Sequence, residues 1–268
     1  MIKLKEILFL KNLKRVGKAT IYKKYWNLLK DCDDFYDLVS EVEMNSKFST
    51  EEIKKAMDNA ERLYDDFLNS EIEVITVFDE KYPEKLNVMG NKRPVILYVR
   101  GNTDALTKAN IGIIGTRKPS KSSQKFEQEL VKNIVSTSDK AVVSGLAFGC
   151  DKIAHQTTVD ENKITVAVLP SGVDNVSPAS NKNLAEKIIA IQKPVCCVAV
   201  ARSFIYSLPS TSNDMGRQRY GRPWPPAPRS LVISIGVPSK WSRMASKTCL
   251  GEILAAGFTH KGIRLAAL

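Results

Sequence analysis

The sequence predicts an α/β fold: a Rossmann-like, mostly parallel sheet with a small helical N-terminal domain. Three observations carry this. From residue 71 onward, short apolar and β-branched segments alternate with stretches of helical periodicity, the pattern of βαβ units. Up to about residue 70 the pattern is helical throughout. Finally, "GTRKPS", "SGLAFG" and "PSGVDN" place glycines where strands must turn into helices.

In order along the chain, "LKNLKRVGKATIYKKY" sets Gly17 between two helix-like stretches. Such a turn is either a packing corner or, as in helix-hairpin-helix modules, a place where backbone approaches a phosphate. "STEEIKKAMDNAERLYDDFLNS" has Ser49 three residues before Glu52, the spacing of a capping box. Its Ile53, Met57, Ala60, Tyr64 and Phe67 fall on one helical face. "IEVITVF" then alternates, "DEKYPEKL" turns at Pro83, and "PVILYVRG" forms a second apolar run. Four further strand-like segments follow: "NIGIIGT", "AVVSG", "ITVAVLPSG" and "KPVCCVAVA". The helical patterns "SSQKFEQELVKNIVS", "CDKIAHQTTVDE" and "NKNLAEKIIA" separate them. Right-handed crossovers put the loops after these strands along one edge of the sheet, where open α/β sheets bind ligands. The expected division is a helical domain over 1–70, a Rossmann-like core over 71–193 and an atypical basic tail over 194–268, irregular or an incomplete core.

Composition narrows the function classes. The 268 residues are 43% hydrophobic and 26% charged, as in an ordinary globular protein. Charges interrupt every apolar run near the N-terminus, so neither a signal peptide nor a membrane span is expected. Five cysteines at irregular spacing point to reduced thiols in a cytoplasm rather than a disulfide framework. With no CxxC and only His155 and His260, no metal site is expected. The net charge is +11, but residues 1–193 hold 30 Lys and Arg against 27 Asp and Glu, whereas the tail holds 10 against 2. Lysine outnumbers arginine 25 to 5 before the break and trails it 3 to 7 afterwards. Bulk charge is therefore weak evidence for a polyanionic partner.

The three loops carry the candidate site. In the first, Gly115 permits a tight turn. Arg117 offers a guanidinium fork suited to bidentate phosphate contact, or is a surface arginine in a polar turn. Ser120 is placed to cap the next helix. In the second, Ser144 and Gly145 end a strand and Gly149 precedes a helix, so the amides between them form a potential anion-binding concavity. Asp151 in the first helical turn complements the helix dipole, and an anion there repels phosphate unless it reads a sugar hydroxyl or a base edge. His155, four residues on, shares its face. In the third, Gly172 lets the backbone turn, while Asn181 and Lys182 either donate to phosphates or bases or simply begin the next helix. The glycine spacing is not GxGxxG and no acidic residue is placed for a nicotinamide ribose, so no dinucleotide cofactor is expected.

At these residues the sequence resembles the bacterial DNA-processing protein A (Smf) family. "GTRKPS" is similar to the family's Gly-x-Arg-x-x-Ser loop, and "VSGLAFGCDKIAH" to its Ser-Gly-Leu-Ala-x-Gly-Ile-Asp-x-x-Ala-His signature. "VAVLPSGVDNVSPASNKNL" is similar to its Val-Leu-x-x-Gly…Pro…Asn…Leu block, with "FDEKYPEKL" and "PVILYVRGN" preceding. The resemblance covers roughly residues 70–190. It implies a nonenzymatic, cofactor-free protein that binds single-stranded DNA during natural transformation and loads a RecA-type recombinase, with no catalytic residues. It implies that Arg117 clamps a phosphate, that Ser144, Gly145 and Gly149 shape the pocket, and that Asn181 and Lys182 line it. A homodimer is left open.

The departures are Cys150 in place of isoleucine and Ser177 where an aromatic often precedes the proline, removing a surface for base stacking. The family's later Ser-Glu, Phe-Pro…Arg-Asn-Arg and Ser-Gly-x-x-x-Thr elements are not found after residue 193. Their joint loss points to a reading frame changed near residues 190–200; a native basic arm that folds on DNA is the rival. Two alternative functions stand beside the lead: a nucleotide phosphoribohydrolase of the lysine-decarboxylase-like group, whose Pro-Gly-Gly-x-Gly-Thr…Glu motif is not found, and a truncated, nonfunctional remnant.

Overall fold

A computed structural model describes residues 2–190 in full, together with the backbone of four later strands. The N-terminal segment is helical: α1 (Leu4–Asn12), α2 (Lys18–Thr20), α3 (Trp26–Asp31), α4 (Phe35–Asn45) and α5 (Thr50–Leu68), with a π-turn at Ile21–Tyr25 joining α2 to α3. The capping box forms as expected, the Ser49 hydroxyl accepting from the Glu52 amide at 3.2 Å and the Glu52 carboxylate from the Ser49 amide at 3.1 Å. Ile53, Ala60 and Phe67 are buried, while Met57 and Tyr64 pack partly buried against the same cluster. At the α1–α2 turn the left-handed residue is Arg15 (φ 63°) rather than Gly17 (φ −103°), around which a Cβ would meet open space.

The sheet is built from β1 (Glu73–Thr76), β2 (Ile96–Gly101), β3 (Asn110–Ile114), β4 (Ala141–Ser144), β5 (Thr165–Leu169), β6 (Cys196–Ala199), β7 (Leu231–Ile235), β8 (Thr259–His260) and β9 (Ile263–Ala267). Their spatial order is β1-β2-β6-β5-β4-β3-β7-β9-β8. β3, β4, β5 and β6 form a parallel core, with β2 antiparallel to β6 on one side and β7 antiparallel to β3 on the other. Between the core strands run α6 (Lys121–Thr137), α7 (Cys150–Asp160) and α8 (Lys182–Ala190). All six strand-like segments read from the sequence between residues 71 and 200 are strands. β6 lies beyond residue 193 and is threaded between β2 and β5. Apart from β6 to β9, the expected irregular basic tail lies outside the described residues, as does the reading-frame question attached to it.

The helical segment and the sheet share one buried cluster. Ile7, Phe9, Leu38 and Phe67 belong to the same core as Val74, Tyr98, Leu146, Leu169 and Ile188. A second face is closed by α6 and α7, where Val131, Val135 and Ala154 pack on Ile111, Ile113 and Val142. Full burial of each such side chain contributes about 1.5–3 kcal/mol, so the loops at the carboxyl ends of β3, β4 and β5 stand on a rigid base. Among the described residues no helix is long and apolar enough to cross a membrane.

Candidate functional site

The loops after β3, β4 and β5 are tied to one another. The first and second join where the Cys150 amide donates to the Thr116 carbonyl at 3.1 Å and the Ser144 hydroxyl donates to the Ile113 carbonyl at 2.6 Å. The second and third join through Asn181, whose Nδ2 donates to the Leu146 carbonyl at 2.9 Å and the Ala147 carbonyl at 3.3 Å. The three loops are thus held side by side by their own hydrogen bonds.

Its construction depends on two glycines. Gly149 has φ +77°, and a Cβ there would fall 2.6 Å from the Arg117 carbonyl carbon and closer still to the Thr116 oxygen. Only glycine lets the start of α7 press against the Arg117 loop. At Gly145 a Cβ would lie 2.9 Å from Asp151 Oδ2. The missing side chain is thus the space that the Asp151 carboxylate fills.

Asp151 changes the reading of the concavity. It is buried, at 8% exposure, and its Oδ2 accepts from the Ala147 amide at 3.3 Å. Burial raises its pKa, opposed by the amides of Ala147, Gly115 and Gly145 and by the Ser144 hydroxyl. The Gly145 and Ala147 amides, two of the donors expected to hold a phosphate, are turned toward a carboxylate of the protein itself. Asp151 thus lies inside the turn, buried, rather than projecting toward a sugar or base.

Three further candidates prove internal. His155 is fully buried, with Nδ1 2.7 Å from Thr165 Oγ1. Burial pulls its pKa down to about 4, the Ser144 backbone opposing, so it is a neutral packing residue without access to a ligand. Ser144 is buried beneath the loops. Asn181 is fully buried and clamps the second loop rather than lining a pocket. Gly172 is also buried, its carbonyl accepting from the Asn175 amide at 3.1 Å in the turn after β5. Ser120 caps α6, accepting from the Ser123 amide at 3.2 Å. Lys182 is exposed at the start of α8, outside the cleft lining.

What remains open to solvent is a cleft of about 530 Å³ lined by Arg117, Lys118, Pro119, Gln124, Phe148, Gly149, Lys152 and Ile153. Of the sequence candidates only Arg117 and Gly149 line it. Its three cations, Arg117, Lys118 and Lys152, are exposed, and among the described residues none takes part in an ion pair. Phe148 stands at the cleft with 49% of its surface exposed. Phe148, Lys118 and Lys152 escaped the sequence reading. Their signal was position: an aromatic between two glycines of a strand-to-helix turn has little core to enter.

Behind the cleft, Glu127 of α6 is 1% exposed, with the Cys150 thiol beside its carboxylate. Burial pushes its pKa up to about 8, the Cys150 thiol opposing and Asp151 adding to the rise. The same burial, with Glu127 beside it, drives the Cys150 thiol upward, so this thiol is inert rather than nucleophilic.

A parallel α/β core with a cation-lined cleft between the loops that follow β3 and β4 defines a Rossmann-like protein. Residues 73–202 match the family model described as DNA recombination-mediator protein A. It is 32% identical over 114 residues to Protein Smf of Borreliella burgdorferi, covering 41% of this chain and 34% of that protein. It is 31% identical over 113 residues to DNA processing protein DprA of Streptococcus pneumoniae, covering 42% and 39%. The chain thus spans between a third and two fifths of the length of these curated relatives. Its fold is similar to the X-ray structure of DNA processing protein A from Streptococcus pneumoniae, with a TM-score of 0.55 and 23% identity over 74% of this chain and 67% of that one.

Proposed function

We propose that this protein binds single-stranded DNA without catalysing a reaction on it, and that it serves DNA processing during natural transformation. The observation that carries this reading is the open cleft lined by Arg117, Lys118 and Lys152 together with Pro119 and Ile153. Cations that form no ion pair among the described residues release counterions when a polyanion docks, which is the main source of nonspecific nucleic-acid affinity. The names of the relatives, Protein Smf and DNA processing protein DprA, support DNA as that polyanion. The absence of turnover is supported by the state of the acid–base groups: His155 and Asp151 are buried, and a general acid or base must reach its substrate to act. Loading of a RecA-type recombinase and a cytoplasmic location belong to the same proposal.

Titration of the full chain with a labelled oligonucleotide at two salt concentrations tests it. The expected result is binding that weakens steeply with salt. Arg117→Ala is expected to lower affinity about ten-fold and to reduce the slope of log affinity against log salt by about 0.7. Binding unaffected by salt, or unchanged in Arg117→Ala, would overturn the assignment. Release of free base from a nucleoside monophosphate would instead establish an enzyme.

A further inference from the structure

We propose that Phe148 is the stacking platform for an unpaired base and makes the cleft choose single strands; this rests on the DNA-binding reading above. Phe148 is held outward by the geometry of its own loop. Leu146, two residues earlier, takes a left-handed conformation (φ 54°) and is completely buried, so it anchors the loop in the core. The Ala147 amide is held by Asp151 and the Ala147 carbonyl by Asn181. Gly149, with φ +77°, fixes the far side against the Arg117 loop. Each neighbour of Phe148 is thereby immobilised, while its own ring remains half-exposed beside Arg117, Lys118 and Lys152.

This arrangement suits one chemical class. An aromatic face in water gains by covering a second π-face, and every base offers one, whereas in a duplex those faces are already stacked on neighbouring bases. The cations hold phosphates at the rim, in single and double strands alike. Arg117, Lys118 and Lys152 thus supply affinity for any nucleic acid, and Phe148 supplies the preference for unpaired bases. Because the loop is already ordered, little conformational freedom is lost on stacking.

The test uses the full chain and three probes of equal length: an oligo-dT, an abasic strand with the same phosphates, and a duplex. The wild type is expected to bind oligo-dT about ten-fold or more tightly than the abasic strand. Phe148→Ala is expected to lose that preference while keeping the affinity for the abasic strand and its salt slope. Phe148→Trp is expected to restore it, with fluorescence quenching on oligo-dT beyond that of the wild type. A wild type that binds none of the probes overturns the DNA-binding reading itself. Overturning Phe148 alone takes a different outcome: a wild type that binds oligo-dT and the abasic strand equally, or a Phe148→Ala variant that still discriminates. Thermal melting of both variants shows whether the fold survives; because the ring is half-exposed, an unchanged midpoint is expected.

Discussion

Residue by residue, the site is governed by what each side chain displaces. Gly149 is irreplaceable because the Thr116–Arg117 backbone occupies the volume of its Cβ. Gly149→Ala combines that overlap with a positive φ, and is expected to cost about 2 kcal/mol or more, read as a shifted denaturation midpoint. Glu127 makes a sharper prediction. Its pKa is about 8 in the folded chain against an ordinary value of 4.5. Between these pH values the folded protein keeps a proton that the unfolded chain has released, so stability falls as pH rises. His155 runs the other way: at about 4 instead of 6.5, it refuses a proton that the unfolded chain accepts, so its effect is confined below pH 6.5. Lys11, lowered by burial from 10.5 to about 8, gives up a proton that the unfolded chain keeps and so adds stability as pH 8 is approached. From pH 6.5 to 7 the decline is therefore led by Glu127, by at most about 1.4 kcal/mol per pH unit. Glu127→Gln, compared with the wild type by chemical denaturation across this range, is expected to give a markedly flatter profile.

Among the elements, the most instructive are α5 and the loop over Gly145–Gly149. α5 was legible in full, because cap, period and amphipathic face are all local properties of its sequence. Ser49→Ala removes one half of the capping box and is expected to cost about 1 kcal/mol, measurable by thermal denaturation. The loop was legible only as a location. Its glycines and its place after β4 showed that something must turn there. Whether the Asp151 carboxylate lies inside the turn or projects from it depends on contacts with Gly145, Ala147 and Ser144 in three dimensions. For the same reason Asn181, 34 and 35 residues from the carbonyls it holds, reads as a ligand-binding amide in the sequence and is a clamp in the structure. Asn181→Ala is expected to speed amide hydrogen exchange across residues 145–149 while leaving α5 unchanged. Phe148 was missed because hydrophobic period analysis assigns an isolated aromatic to the core, and here Leu146 has taken that place.

For the molecule as a whole, the alternation of strands and helices sufficed to predict a parallel core, since βαβ connections leave few other solutions. The antiparallel strands at either side were not legible, because pairing partners distant in sequence leave no periodic trace. β6 shows the physical consequence: it bonds to β2 through Tyr98–Gly101 and to β5 through Val166–Leu169. A chain ending at residue 193 leaves both of those strands with open edges. It is expected to melt at lower temperature, and with less cooperativity, than one ending at residue 202.

That keystone position also bears on how the protein is made. On a ribosome, the helices, the β1–β2 hairpin and three of the four core strands emerge before the strand that joins the hairpin to the core. Until Cys196–Ala199 leaves the exit tunnel, two adhesive borders face a vacancy between them, and the nascent chain is at its most vulnerable to strangers.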